Sequence, residues 1–69
     1  MWTPRAGIWT HPALPYEIEH RAELAELMPG GVIERFEVRR GAEVLAVRFS
    51  LGAASRYAEE RWEMMDGRH

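Results

Sequence analysis

The sequence predicts a small single α+β domain: an N-terminal arm, a helix, an antiparallel β-hairpin over about 32–50, and an amphipathic helix over about 53–65. Three observations carry that class. Two runs of alternating apolar residues flank Gly41. An apolar stripe at helical spacing follows them. Three prolines, Pro4, Pro12 and Pro15, punctuate the first sixteen residues, so a regular element there is short or absent.

Taken in chain order, residues 1–15 read as an arm containing tryptophan and proline. Trp2-Thr3-Pro4 and Trp9-Thr10-His11-Pro12 echo each other, but two copies do not make a repeat architecture. From Tyr16 to Met28 the chain reads as a helix. Ile18, Ala22, Ala25 and Met28 share a side, Glu17 and Glu19 suit a first turn, and Pro29-Gly30-Gly31 ends the run. A competing reading makes Tyr16–His20 a third strand and shortens the helix to Ala22–Met28.

The hairpin is the firmest element, because its two strands check each other. Over Val32–Val38 alternate residues are apolar, broken once by Glu34, and Leu45, Val47, Phe49 and Leu51 alternate with Val44, Ala46, Arg48 and Ser50. Gly41 accepts the positive φ that a tight turn needs. Arg39 then lies opposite Val44. The same register sets Val38 across from Leu45, Phe36 from Val47 and Val32 from Leu51, with Phe36 and Phe49 pointing inward and Arg35 facing Arg48. In the last element, Ala54, Tyr57, Ala58, Trp62 and Met65 form the apolar stripe, with Arg56, Glu59, Glu60 and Glu63 opposite. Ser50 is the expected N-cap and Asp66-Gly67 the stop. The stripe should lie on the apolar face of the hairpin, with Trp62 and Tyr57 as its largest pieces.

Composition bounds the function. The 69 residues make one domain, 46% hydrophobic with seven aromatics, which does not describe a disordered tail. A core in so short a chain rarely supplies more than ~3–5 kcal/mol. There is no cysteine for a disulfide, and no apolar run approaches the ~20 residues of a membrane span. Met1-Trp2-Thr3-Pro4 begins no signal peptide, so a cytoplasmic location is expected. Self-association is the remaining remedy for a small core, and a homodimer is expected. All nine basic residues are arginine, and Asn and Gln are missing. That composition fits a thermophilic or a GC-rich bacterial or phage source and says nothing about function.

The chemistry-bearing residues form no motif. His11, His20 and His69 match no ligand spacing, Ser50 and Ser55 lack nucleophile-elbow glycines, and Gly30-Gly31 precedes a strand instead of a helix. No catalytic residue, cofactor or metal is expected. Binding remains. Trp2 and Trp9 are the candidate protein-binding residues, since Trp, Tyr and Arg dominate interface energetics. As the alternative, Arg35, Arg39, Arg40 and Arg48 on the hairpin are candidate nucleic-acid-binding residues. A net charge of −2 and interleaved glutamates oppose that alternative.

Tyr57-Ala58-Glu59-Glu60-Arg61-Trp62-Glu63-Met64-Met65, behind a hairpin, resembles the final helix of MbtH-like proteins, the small partners of nonribosomal peptide synthetase adenylation domains. The resemblance covers about nine residues. The Trp-Thr-Asp that follows the helix in that family is absent, since Glu63-Met64 follows Trp62. Its early tryptophan-proline segment and Pro-x-Gly-Trp are echoed only loosely by Trp9 to Pro12 and Pro29 to Val32, so membership is not assigned. The expected function is a small non-enzymatic interaction module that self-associates and binds a protein partner.

Overall fold

In the computed structural model, which describes residues 1–24 and 30–67, a five-stranded antiparallel sheet carries one helix on one face. The strands are β1 (Thr3–Arg5), β2 (Ile8–Thr10), β3 (Glu17–Leu24), β4 (Val32–Arg40) and β5 (Glu43–Arg48). Their order in the sheet is their order in the chain. Helix α1 (Leu51–Arg61) continues into a π-helical turn over Trp62–Asp66. The α+β class holds broadly, but the sheet is much larger than the expected hairpin.

Two expected elements are corrected. The arm is itself a hairpin: Thr3 pairs with Thr10, Pro4 with Trp9 and Arg5 with Ile8. Its two-residue turn is Ala6-Gly7, with φ of 52° and 80°, the double positive φ of a type I′ turn. Pro4 is tolerated because β1 is the sheet edge, where a missing donor leaves no broken ladder. The echo of Trp-Thr in the sequence is thus two arms of one hairpin, which meet at Thr3 and Thr10.

The expected helix over Tyr16–Met28 is instead strand β3 as far as Leu24, with 25–29 outside the described residues. Tyr16 and Ile18 are both buried, a spacing of two that no helix face gives. Pairing decides the matter: β3 bonds β2 on one side and β4 on the other, along all eight of its residues on the β4 side. Ladder pairing and burial override the helix preference of Glu, Ala and Leu. The competing reading has the strand but not its extent: β3 covers Glu17–Leu24, so the short helix it placed over Ala22–Met28 is absent at Ala22–Leu24, and the rest of it lies outside the described residues.

The 32–50 hairpin forms, with Gly41 at φ 61° as the first of two turn residues. Arg39 does lie opposite Val44. Beyond that pair the register changes, because Leu45 is an extra residue on β5: Val38 faces Ala46, Glu37 faces Val47 and Phe36 faces Arg48. This is a β-bulge, which moves every later side chain to the other side. Val47 therefore leaves the core face, Arg48 enters the helix side, and Phe49 ends 71% exposed instead of inward. Arg35 faces Arg21 across β3, not Arg48, and Leu51 opens α1 rather than closing a strand.

The core lies under α1 at the middle of the sheet. Tyr16, Ile18, Val38, Ala54 and Ala58 are buried, and Trp2, Trp9, Leu14, Phe36, Leu45, Leu51, Tyr57 and Trp62 pack round them. Ala54 and Ala58 let the helix backbone approach closely. Trp62 stands edge-on to Tyr16 with ring centroids 6.4 Å apart, and Trp62 and Tyr57 both pack against the cluster that holds Val38 of the hairpin, as expected. Ser50 caps α1 as expected, its hydroxyl accepting from the Ala53 N–H at 3.1 Å. Met65 is the exception in the stripe, 65% exposed, because the wider π turn rotates it off the sheet.

Candidate interaction surface

Among the described residues one helix lies on the sheet, which leaves one face covered and the other open. On the open face β3 and β4 hold a ladder of charge. Glu19 accepts from Arg39 at 2.6 Å and pairs with Arg21 at 2.8 Å; Arg21 also reaches Glu37 at 3.4 Å, and Arg35 reaches Glu23 at 3.3 Å. The Nε of Arg39 is buried without a hydrogen-bond partner. Each such pair contributes little stability by itself. Together they cover the face with its own counter-charges.

The arginines singled out from the sequence are not brought together. Arg35 and Arg39 lie in this ladder beside glutamates. Arg48 is on the helix side, its guanidinium 4.8 Å from the Tyr57 ring centroid and donating to the Val47 carbonyl at 2.9 Å. Arg40 sits across from Glu43 next to the turn. Trp2 and Trp9 are half-buried against the core. The Trp2 indole donates to Glu59 at 2.9 Å and stands edge-on to His11 at 5.3 Å. Trp9 lies between Pro4 and Ile18 in the ladder. Both indoles close the end of the core.

The exposed apolar residues are elsewhere: at the start of β4, Val32, expected on the core face, is 58% exposed and Ile33 is exposed beside it, and a larger group lies at β5 and the helix end. Val44 is 45% exposed and Val47 38%, both on the open side of β5, and Phe49 follows them. Met64 and Met65 rim a shallow cleft with Tyr57, Glu60 and Arg61 at the helix end. No signal in the sequence marks the β5 cluster, since plain alternation assigns Val47 and Phe49 to the core. Among the described residues, no group of His, Asp and Glu is arranged to hold a metal, and no helix is long and apolar enough to cross a membrane.

The two sheet edges differ. β1 is three residues long with Pro4 at its centre, which blunts it. β5 has six residues, no proline, and an uncharged stretch of Val44, Leu45, Ala46 and Val47 between Glu43 and Arg48. Among the described residues no strand pairs with its outer side. No known family model, curated protein or solved structure matches the chain at a significant level.

Proposed function

We propose that this chain is a small interaction module, which acts by assembling with a second copy of itself and by binding a protein partner, not by catalysis. The observation that carries the reading is the apolar surface left open: Val44, Val47 and Phe49 at β5 and Met64 and Met65 at the helix end are all exposed, and such clusters mark contact sites. Among the described residues the buried core has five members, so an assembly that covers more apolar surface adds stability that the single chain lacks.

The glutamates interleaved with Arg35 and Arg39 oppose the alternative of a nucleic-acid interface, which needs a basic patch. Size exclusion with light scattering tests the proposal. The expected mass at micromolar concentration is twice the 8.0 kDa of one chain. The mass of a single chain at that concentration would end the reading.

A further inference from the structure

We propose that the second copy docks on the free edge of β5, antiparallel to it, so that one sheet runs through both copies. This inference rests on the self-association just proposed and names its interface. Three features of β5 point to it.

The first is availability. Of the two edges, β1 is closed by Pro4 and β5 is open. The second is charge. β5 begins with Glu43 and ends with Arg48. Two copies laid antiparallel set Glu43 against Arg48 of the second copy at both ends, whereas a parallel arrangement sets like charges together.

The third feature is the bulge, and it selects the register. Val44 lies across from Arg39 and Val47 across from Glu37, so both point to the open face although three positions apart. Glu43 lies across from Arg40, Ala46 from buried Val38, and Arg48 over Tyr57, while Leu45 packs against the core. These four point to the helix side. Directly opposed residues in an antiparallel pair must share a face. One register satisfies that rule along the whole strand: Glu43 opposite Arg48, Val44 opposite Val47 and Leu45 opposite Ala46 of the second copy. A shift of one residue in either direction opposes inward and outward side chains. In a regular strand that register would be forbidden, and the extra residue at Leu45 permits it.

The contact covers the two valines, and the next residue out, Phe49, falls beside the Gly41-Ala42 turn of the second copy. Two-fold pairing of this kind closes on itself, and Pro4 at the far edge stops further growth.

Two measurements on the full chain test it. Val47→Lys places an ammonium at the centre of the pairing, on an already exposed position. It should weaken the dimer by roughly tenfold or more in light scattering, with an unchanged circular dichroism spectrum. The chain has no cysteine of its own, so Val44→Cys and Val47→Cys chains can be mixed under mild oxidation. The mixture should cross-link faster than either variant alone. A wild-type dimer that ignores Val47→Lys and shows no preference for the mixed cross-link places the interface elsewhere; it overturns this inference and leaves self-association standing. A wild-type monomer at every concentration overturns both.

Discussion

At Ala6 a side chain occupies a backbone region that suits glycine. Its φ is 52°, followed by Gly7 at 80°, and a non-glycine residue held there costs of order 1–3 kcal/mol. Asparagine before glycine is the preferred pair for this turn. Ala6→Asn is therefore expected to stabilise the fold by about 0.5–1 kcal/mol, measured as a higher midpoint in urea at unchanged slope. Other single residues show what a one-dimensional reading can reach. Gly41, Ser50 and the Trp62 contact were legible, since each depends on neighbours a few positions away or on a strong periodic pattern. Arg39 was not. Its partner Glu19 lies on a stretch whose composition favours helix, so the ion pair exists only once that stretch is seen as a strand.

Elements fail where one residue changes their phase. Helical spacing of Ile18, Ala22 and Ala25 competes with the two-residue spacing of Tyr16 and Ile18, and the neighbours β2 and β4 settle the contest. Leu45 does the same to β5: the hairpin is legible as far as Arg39 and Val44, and the faces assigned to Ala46, Val47 and Arg48 reverse. That reversal is why the candidate surface at Val44, Val47 and Phe49 was not legible, while Trp2 and Trp9, chosen for their size, cover the core. The π turn after α1 is a third phase change. It brings Gly67 back onto the residue that starts it: the Gly67 N–H donates to the Trp62 carbonyl at 2.6 Å. A Cβ on Gly67 would stand 2.5 Å from the Trp62 indole and 2.7 Å from its carbonyl oxygen. Gly67→Ala should accordingly destabilise the protein by about 1–3 kcal/mol, seen in chemical denaturation as a lower midpoint.

On the scale of the molecule, the α+β class and the helix covering a sheet were legible because they follow from two periodicities. The extent of the sheet was not, since short strands such as Thr3–Arg5 and Ile8–Thr10 carry too few residues for a pattern. A molecule that leaves Val44, Val47 and Phe49 open gains from a partner that covers them. If two copies fold together, mass action links stability to protein concentration. The thermal midpoint should then rise as the protein is concentrated across the range where light scattering sees the dimer form, and scans at several dilutions check it. A midpoint that stays constant over that range contradicts coupling between assembly and folding.

The agreement between strand order and chain order reaches into kinetics. Every ladder joins neighbours in the chain, so loop closure costs little and the meander zips from turn to turn. Refolding then belongs among the faster mixed domains, on the millisecond scale or below. The Trp2 indole is the exception, because its acceptor Glu59 waits 57 positions downstream. Its docking marks the end of the journey rather than the first step.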